Sequence, residues 1–505
     1  MVCETLVYKI LEMERTAPKA KALSFRKETL TFADLGAQIR QAAARLQALG
    51  VKRGDRVLYT AVSKPQTFVL YLGIQFLGAV AVPTDRAGIV DNELSLYEDA
   101  EASLLITALK LAEAPEGKHV VKQKEFLASL AEAETTMAYE LPDEEEIAEI
   151  LFTSGTTGKP KGVMLSYRAV LQILQNTMNG VGITSEDVVL MPLPLHHSLA
   201  LRVSRATLYA GGHLVLQNGF VFARETEGNQ QTFGCTGIAA VPVSMELLRG
   251  QMQEHFYEIM GRFRFIEIGA GALTVEQRKR LSSHLKNTRI TNTWGSSETG
   301  GVIFTYVHDV AEDETRVSTL GLAIDTAKTA ILPAEGQAAD GAEIGSDRDH
   351  PGKLALYGRM VMSGYWRRPD LTEEALKDGW LITNDLVYKD ADGYIYMLGR
   401  SDDIINIGGE KLSPLEVENI ASEYEGAGEY ACIGIPDPEG LLGQVPVLFV
   451  GQCRESYSAE ELRKYLASRL ERIKLPAKII ELPVLPRNRM QKLDRKAIAA
   501  YAKEI

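Results

Sequence analysis

The chain has 505 residues, which is enough for two or three hydrophobic cores. Apolar residues make up 45% and charged residues 24%, values that are typical of a soluble globular protein. The formal net charge of -12 argues against nucleic acid as a partner and against a basic membrane-binding surface, because an acidic surface repels phosphate groups.

The N-terminus and the cysteines indicate the compartment. Residues 1–21 lack the apolar core of a signal peptide, and the four cysteines are far apart without a Cys-x-x-Cys pair. The longest apolar run, 67–83, is shorter than the roughly 20 residues of a membrane span and ends in proline. We therefore expect a cytoplasmic protein with reduced thiols and no integral membrane segment.

Helical and strand patterns alternate from residue 31 to about residue 294, as in α/β proteins. Thr31, with Asp34 three residues later, predicts the start of a helix that ends before Gly50. The other elements predicted in this region are a strand at 57–62, a buried helix and strand within 67–83, a strand at 150–152 followed by a loop, a helix opening at Ser166, a strand at 263–268, a helix at 275–285 and a strand beginning at Ile290.

The last third of the chain has a different pattern. Short strands and glycines follow from 319 to 366, and the polar stretch 334–351 predicts a surface loop. The elements predicted after Arg400 are a helix opened by a capping box of Ser413 and Glu416 with Pro414 between them, strands at 430–435 and 445–450, a helix capped by Ser458 and Glu461, and a closing helix at 494–503. The predicted boundary divides a large domain, 1–400, from a small one, 401–505.

The most informative segment is 153–162, Thr-Ser-Gly-Thr-Thr-Gly-Lys-Pro-Lys-Gly, directly after a predicted strand. Its glycines, hydroxyls and lysines are the groups that polyphosphate requires: backbone N–H groups open to close approach, hydrogen-bond donors and cations. Gly158-Lys159 is followed by Pro160 and not by Ser or Thr, so this is no Walker loop. The alternative is a flexible, solvated turn, which the density of donors beside a strand disfavours.

This segment resembles the phosphate loop of the adenylate-forming superfamily, which includes acyl-CoA synthetases, adenylation domains of peptide synthetases and firefly luciferase. Several further motifs follow in the family's order, from the helix at Thr31 to a lysine near the C-terminus. The resemblance implies an α/β fold with a large N-terminal domain of layered α/β subdomains plus a β-rich subdomain. It also implies a small, mobile α+β C-terminal domain that pivots at a hinge, Asp402.

The resemblance implies ATP, Mg²⁺ and a thiol acceptor, with a site for each. Trp294 stands where the family usually has tyrosine and offers a face for adenine, and Asp385 falls on the aspartate that binds the ribose hydroxyls. The resemblance implies that Glu298 and Thr153 bind magnesium. The implied ATP-binding residues are Thr153, Ser154, Gly155, Thr156, Thr157, Lys161, Gly269, Ala270, Gly271, Asn292, Thr293, Trp294, Gly295, Ser296, Ser297, Asp385, Arg400 and Lys492.

Two residues of the C-terminal domain are assigned by position alone. Lys492 falls on the adenylation lysine, and Gly409 on a glycine that lines the thiol tunnel after the small domain pivots. Gln491 and Asn384 also depart from the family pattern, since each replaces a glycine.

The segment 192–200 resembles the part of the family that lies beside the acyl group, with His197 on the family histidine and His196 where an aromatic residue is common. A core histidine with satisfied hydrogen bonds is the alternative for His197 taken alone. The predicted acyl pocket consists of His197, Ala200, Leu201, Val241 and Pro242. Its small and apolar residues favour a fatty or aromatic acid.

Arg202 and Arg205 follow on the same predicted helix. They could bind a second carboxylate of the substrate, but a solvated or structurally paired arginine is the favoured interpretation.

The predicted function is ATP-dependent activation of a carboxylic acid to an acyl-adenylate, with release of pyrophosphate, followed by transfer to the thiol of CoA. The predicted catalytic residues are Lys492, Glu298, Thr153, His197 and Gly409. A stand-alone acyl-CoA synthetase is favoured because no carrier domain follows Ile505. The alternatives are an enzyme that loads the phosphopantetheine of a separate carrier protein and a catalytically degenerate nucleotide-binding protein.

Overall fold

The structure is a computed structural model that describes residues 4–85, 90–111, 114–133, 135–154, 160–271, 273–333, 347–348, 350–408, 410–424, 426–454, 456–487 and 493–503. Most of the predicted surface loop 334–351 lies outside this set. Within the described ranges, every helix is too short or too polar to cross a membrane.

Helices and strands alternate through most of the sequence. The helices are α1 (Leu6–Thr16), α2 (Phe32–Ala48), α3 (Pro65–Phe76), α4 (Val90–Asp99), α5 (Gln123–Ala128), α6 (Tyr167–Val181), α7 (Ser198–Tyr209), α8 (Ala223–Phe233), α9 (Pro242–Met252), α10 (Phe256–Met260), α11 (Val275–His284), α12 (Val307–Val310), α13 (Pro369–Ala375), α14 (Pro414–Ser422), α15 (Ala459–Ala467) and α16 (Arg495–Lys503).

The strands are β1 (Lys21–Phe25), β2 (Glu28–Thr31), β3 (Arg56–Ala61), β4 (Val80–Asp85), β5 (Leu104–Thr107), β6 (Val120–Lys122), β7 (Ile147–Ser154), β8 (Pro160–Ser166), β9 (Val188–Met191), β10 (His213–Leu216), β11 (Gly237–Ala240), β12 (Phe265–Gly269), β13 (Arg289–Ser296), β14 (Gly300–Tyr306), β15 (Leu322–Ala323), β16 (Lys328–Pro333), β17 (Gly352–Tyr357), β18 (Gly364–Tyr365), β19 (Leu376–Lys377), β20 (Trp380–Lys389), β21 (Ile395–Arg400), β22 (Ile405–Ile407), β23 (Glu410–Leu412), β24 (Glu429–Pro436), β25 (Gln444–Gly451) and β26 (Lys478–Leu482).

Two large mixed sheets form the N-terminal part of the molecule. The nine-stranded sheet has the order β15-β14-β13-β12-β11-β9-β10-β1-β2, and the seven-stranded sheet has the order β18-β8-β7-β4-β3-β5-β6. Strands β16, β17, β19, β20 and β21 make a separate antiparallel sheet. The later strands form a two-stranded and a three-stranded sheet, and α14 packs against the latter at β24. This architecture confirms the predicted fold class, whereas the boundary at residue 400 stays a prediction.

The N-terminal elements follow the local signals of the sequence. Thr31 and Asp34 form the predicted capping box, since the Asp34 amide donates to Thr31 Oγ1 (3.2 Å) and the Thr31 amide donates to Asp34 Oδ2 (2.9 Å). The apolar run becomes α3, which is buried on every side, and then β4. A helix with no polar face needs neighbours all round it, and α3 has them because it lies between the two large sheets.

Two predictions were wrong in detail. The loop expected after the 150–152 strand contains a second strand, β8, which returns antiparallel to β7 as far as Ser166. The expected capping box at α14 does not form, because Ser413 Oγ accepts from the Leu415 amide while the Glu416 carboxylate pairs with Lys474 at 3.2 Å. In the first case pairing with the preceding strand decides the local structure, and in the second a partner distant in sequence does.

Helix α7 is held between the two large sheets by buried ion pairs. Arg202 donates to Glu267 on β12 of the nine-stranded sheet, and Arg205 Nη1 donates to Glu149 Oε1 on β7 of the seven-stranded sheet at 2.6 Å. The Tyr71 hydroxyl, from α3, donates to the other oxygen of Glu149 at 3.0 Å. Both arginines are therefore structurally paired, and their guanidinium groups are not available for a second carboxylate of a substrate.

We expect Arg205→Ala to lower the free energy of unfolding by about 3–5 kcal/mol, because the Glu149 carboxylate would stay buried without its cation. Thermal unfolding should record a decrease of roughly 10 °C. Arg53→Ala is the matched control, since it breaks a pair with Glu146 (2.6 Å) that is largely exposed and should cost about 0–1 kcal/mol. Equal shifts for the two variants would contradict the structural role of Arg205.

His213 is a buried histidine that the sequence analysis did not single out. Its Nε2 lies 2.8 Å from Ser24 Oγ, and its ring packs edge-on against Phe233. Burial, with a smaller contribution from the charge of Lys21, lowers the pKa of His213 to about 4 from the ordinary 6.5. Between about pH 6.5 and pH 4, His213 is therefore protonated in the unfolded chain and neutral in the folded chain. The free energy of unfolding falls as the pH falls through that window.

We expect His213→Gln to remove part of this acid sensitivity. The histidine should cost about 2 kcal/mol of stability between pH 7 and pH 5, and glutamine does not titrate. The measurement is the melting temperature of wild type and variant at both pH values. A variant that loses as many degrees as the wild type would show that His213 does not carry the effect.

Candidate active site

The two described ends of the phosphate-loop segment lie on the paired strands β7 and β8. Thr153 pairs directly with Lys161 across the two strands, and Ser154 pairs with Pro160. The predicted ligands Gly155, Thr156 and Thr157, together with Gly158 and Lys159, lie outside the described residues, as does the side chain of Ser154. The pairing thus brings the hydroxyl-bearing Thr153 and the cationic Lys161 next to each other on one face of the sheet.

Tyr365 connects this hairpin to the predicted magnesium ligand. Strand β18 runs antiparallel to β8, with Tyr365 opposite Val163. The Tyr365 hydroxyl donates to Glu298 Oε1 at 2.8 Å, and the Lys161 ammonium lies 5.3 Å from the centre of its ring. Burial raises the pKa of Tyr365 well above its ordinary value, with the Glu298 charge as the next cause, so the hydroxyl stays protonated as a donor.

Glu298 lies in the tight turn between β13 and β14. Its amide donates to Ser296 Oγ at 3.2 Å, and its carbonyl accepts from the Met362 amide at 2.9 Å. Gly295 is required by packing, because a Cβ at this position would lie 2.0 Å from the carbonyl oxygen of Gly300. The turn therefore holds the Glu298 carboxylate in one place beside β18.

Trp294, Asp385 and Arg400 form a second polar group. The Trp294 indole Nε1 donates to Asp385 Oδ2 at 3.1 Å, and Arg400 Nε lies 3.8 Å from Asp385 Oδ1. Asp385 and Arg400 face each other across β20 and β21. Trp294 is on β13, the strand that leads to Glu298, and that the two groups belong to one site stays a prediction.

The predicted hinge lies next to this group. Asn384 Nδ2 donates to Asp402 Oδ2 at 3.4 Å, and the Asn384 carbonyl accepts from the Ser401 amide at 2.8 Å. Asn384 departs from the family glycine, and in this structure its side chain contacts the hinge residue itself. The pivoting role of Asp402 stays a prediction.

The loop 269–273 follows β12, as predicted, and Asn292 holds it. The Asn292 Nδ2 donates to the carbonyls of Ile268 (3.0 Å) and Gly271 (3.3 Å), while its Oδ1 accepts from the Leu273 amide (3.4 Å). The amide of Asn292 is thus engaged with this loop, and its implied contact with ATP stays a prediction. Thr293 is buried, and among the described residues its hydroxyl has no hydrogen-bond partner.

His196 and His197 stand at the start of α7. Their ring centres are 3.8 Å apart, and Nδ1 of His196 lies 3.9 Å from Asp85 Oδ1 at the end of β4. Burial lowers the pKa of His196 and outweighs the opposing effect of the Asp85 charge, so the ring is neutral at pH 7. The Ser198 hydroxyl donates to the Ser296 carbonyl at 3.4 Å, which joins α7 to the strand that carries Trp294.

The other residues predicted for the acyl pocket come from two helices, α7 and α9. Ala200 and Leu201 are fully buried in α7. Val241 and Pro242 begin α9, and Pro242 packs so closely on Gly271 that a Cβ there would lie 3.2 Å from its ring. The starts of α7 and α9 and the 269–273 loop therefore lie close together.

Two of the predicted catalytic residues, Gly409 and Lys492, lie outside the described residues. Sequence reasoning also missed Tyr365 and Asp85, whose contacts come from elements far away in the chain. A signal for Tyr365 existed, since Tyr365 and Trp366 are adjacent aromatic residues, but it does not indicate which residues the tyrosine contacts.

The described residues fit magnesium and a nucleoside triphosphate. Mg²⁺ is usually held by one or two carboxylates together with phosphate oxygens, and Glu298 supplies one carboxylate beside the hairpin that carries Thr153 and Lys161. The described residues contain no cluster of three or more metal-binding side chains, so a metal bound entirely by protein has no candidate site there. Asp385 has a carboxylate suited to a pair of hydroxyls.

Comparisons with known proteins agree with this geometry. Residues 12–366 match the family described as AMP-binding enzyme, and residues 416–492 match the AMP-binding enzyme C-terminal domain. The 2-succinylbenzoate–CoA ligase of Geobacillus kaustophilus (strain HTA426) is 30% identical over 486 residues, 95% of each chain. Feruloyl-CoA synthase of an Amycolatopsis species is 28% identical over 475 residues, 92% of each chain.

A solved structure has the same fold. The o-succinylbenzoate CoA synthetase from Bacillus subtilis, in complex with its acyl-adenylate intermediate, superimposes with a TM-score of 0.84 over 97% of each chain, at 25% identity.

Proposed function

The chain belongs to the AMP-binding enzyme family, and from this premise we propose that it converts an aromatic carboxylic acid to an acyl-adenylate and then to its CoA thioester. Its activity class is that of an AMP-forming acid–thiol ligase, which uses ATP, Mg²⁺ and CoA. The aromatic class of the acid is the finer part of the proposal. The relatives that act on 2-succinylbenzoate and ferulate support it.

The observation that carries the proposal is the linked group of Lys161, Tyr365 and Glu298. One tyrosine contacts both the lysine of the phosphate-loop hairpin and the carboxylate proposed for magnesium. Opposite charges are thereby held near each other without forming an ion pair with each other. Such an arrangement suits a ligand that brings both phosphate and metal.

Each described residue has a proposed task in the adenylation step. Attack of a carboxylate on the α-phosphate brings two anions together, so catalysis depends on positioning and on charge stabilisation. Lys161 and the Thr153 hydroxyl would bind the departing phosphates, and Asp385 would accept the ribose hydroxyls. Bound Mg²⁺ would supply positive charge that lowers the repulsion between phosphate oxygens, and Glu298 would hold it.

The acid would lie at the start of α7, beside the closely spaced, mutually tilted rings of His196 and His197. A neutral His196 and small Ala200 suit a flat, uncharged ring better than a charged group. Because Arg202 and Arg205 are already paired with Glu267 and Glu149, neither would bind a second carboxylate. The two arginines therefore give no reason to expect a second carboxylate on the aromatic acid.

The test is pyrophosphate release by the purified protein with ATP, Mg²⁺ and CoA over a panel of acids. The panel contains benzoates, cinnamates, an aromatic dicarboxylate and fatty acids of increasing length. We expect aromatic monocarboxylates to be turned over with the highest kcat/KM. Preference for fatty acids would make the substrate class wrong, and absence of release with every acid would make the adenylation proposal wrong.

The acceptor needs a separate experiment. CoA is replaced by a phosphopantetheinylated carrier protein at equal concentration, and thioester formation is followed by mass spectrometry. Transfer to CoA alone supports the proposal, whereas transfer to the carrier alone would favour the carrier-loading alternative.

A further inference from the structure

Arg278, on α11, is an arginine buried without a counter-anion. Its side chain is 1% exposed, and it forms no ion pair with any residue in the described part of the chain. Its Nη1 donates to the carbonyls of Val317 (2.8 Å) and Thr319 (2.7 Å), and its Nη2 donates to Asn292 Oδ1 (3.1 Å). All three acceptors are neutral, and burying a cation in this way costs free energy.

The protonation behaviour agrees with this geometry. Burial is the cause that lowers the pKa of Arg278, to about 10, and no neighbouring charge opposes it. The group is still a cation at pH 7. Its five N–H donors and lack of any acceptor therefore dictate how a neighbouring amide must turn.

Asn292 is the neighbour that Arg278 orients. Since the guanidinium can only donate, the amide oxygen of Asn292 must face it, and the amide nitrogen must face the other way. The nitrogen then reaches the carbonyls of Ile268 and Gly271, at the two ends of the sharp bend after β12. Without Arg278 the amide could rotate, and one rotamer would set its oxygen against two carbonyl oxygens.

The bend that Asn292 holds is conformationally costly. Ala270 has φ +60°, a left-handed conformation that residues other than glycine rarely adopt. Such a conformation persists where the surroundings hold it. The hydrogen bonds of Asn292 to residues 268, 271 and 273 flank Ala270 on both sides, so they are the contacts that keep it in place.

The bend also has a fixed relation to Trp294. Asn292 and Trp294 are two residues apart on β13, so their side chains share one face of the strand. The loop held by Asn292 and the indole proposed to stack on adenine therefore lie on the same side of the sheet.

We propose that Arg278 is a positioning residue for the base of ATP: it fixes the Asn292 amide, and the amide holds the 269–273 loop in the shape that borders adenine. The inference rests on the proposed function, in which the chain binds ATP: the family resemblance places Gly269, Ala270 and Gly271 among the ATP-binding residues and offers Trp294 as a face for adenine. Arg278 acts on the nucleotide through Asn292 and not by contact.

The test compares Arg278→Met with wild type. Methionine keeps an unbranched apolar stem and removes the guanidinium, so Asn292 loses the donor that orients it. We expect the KM for ATP to rise about ten-fold, with the KM for the carboxylic acid unchanged. The preference for ATP over inosine triphosphate, which differs only in the base, should fall.

A second readout needs no activity. Hydrogen exchange of a peptide that covers 269–273 should be faster in the ligand-free variant than in ligand-free wild type, because the Leu273 amide loses its fixed acceptor. Arg280→Met is the matched control on the same helix, since Arg280 is paired with Glu246 and Glu276 near the surface. It should change neither readout.

The outcomes separate the two proposals. A wild-type protein that does not bind ATP in a calorimeter would overturn the proposed function and this inference with it. If wild type binds ATP while Arg278→Met keeps the wild-type KM, nucleotide preference and exchange rate, only the inference is overturned. If the methionine variant fails to fold, Arg278→Lys is measured in the same ways. Its ammonium cannot reach all three acceptors, so changes are expected, but they should be smaller because the positive charge is kept.

Discussion

Glu298→Gln should lower the rate of acid-dependent exchange between ATP and pyrophosphate by about 10²–10³-fold. Glutamine has nearly the shape of glutamate, and its carbonyl oxygen can still accept from the Tyr365 hydroxyl. What it loses is the negative charge that would hold Mg²⁺ beside the phosphate-loop hairpin. The measurement is incorporation of labelled pyrophosphate into ATP, with Mg²⁺ varied over a wide range.

Glu314→Gln is the matched control for this variant. Glu314 is an exposed residue paired with Lys279 at 2.5 Å, so the same change of charge occurs away from the site. We expect its exchange rate and magnesium dependence to equal those of the wild type. If Glu298→Gln also retained both, the assignment of magnesium to Glu298 would be wrong, although the fold and family would stand.

The second large effect is expected at Lys492, which the family resemblance assigns to adenylation. Lys492→Ala should reduce the exchange reaction by about 10²–10³-fold, because the lysine would bridge the attacking carboxylate and the α-phosphate. The variant should still convert a supplied acyl-adenylate and CoA to the thioester at nearly the wild-type rate. The two half-reactions are measured separately, by pyrophosphate exchange and by thioester formation.

The structure supplies the frame for this experiment, although Lys492 itself lies outside the described residues. Arg487 and Leu493 pair as an isolated antiparallel bridge, so the two ends of the segment between them are held together. Arg487 is in turn paired with Glu429 on β24. Lys496→Ala, on α16, is the control. Equal loss of both half-reactions in Lys492→Ala would contradict a small domain that presents different residues in the two steps.

Much of the fold was predictable because its signals are local. The capping box at Thr31, the buried run that became α3 and the end of β12 before the 269–273 loop are all determined by residues within one or two turns of each other. The same holds for Ser458, whose side chain caps α15 as expected. Strand β8 was not predicted because its own residues are a mixture of polar and apolar ones. A strand of this kind can be identified only from its pairing, here with β7.

The candidate site, like the fold, has features that the sequence predicts and features that it does not. The order of the motifs was enough to indicate a nucleotide, a metal and an acyl group, since each motif carries its chemistry within a few residues. The contacts among the motifs could not be predicted from that order. Tyr365 reaches Glu298 across 67 positions in sequence, and Arg205 reaches Glu149 across 56.

The sequence by itself therefore determined the class of fold, the family and the chemical groups available for catalysis. Only the tertiary structure decided that Arg202 and Arg205 form the ion pairs that hold α7 between two sheets. It also decided that Tyr365 contacts both Lys161 and Glu298, and that Arg278 donates to Asn292. The physical reason is that spacing along a chain encodes periodicity and capping. The fate of a buried charge depends on which distant strand packs against it, and no local pattern records that.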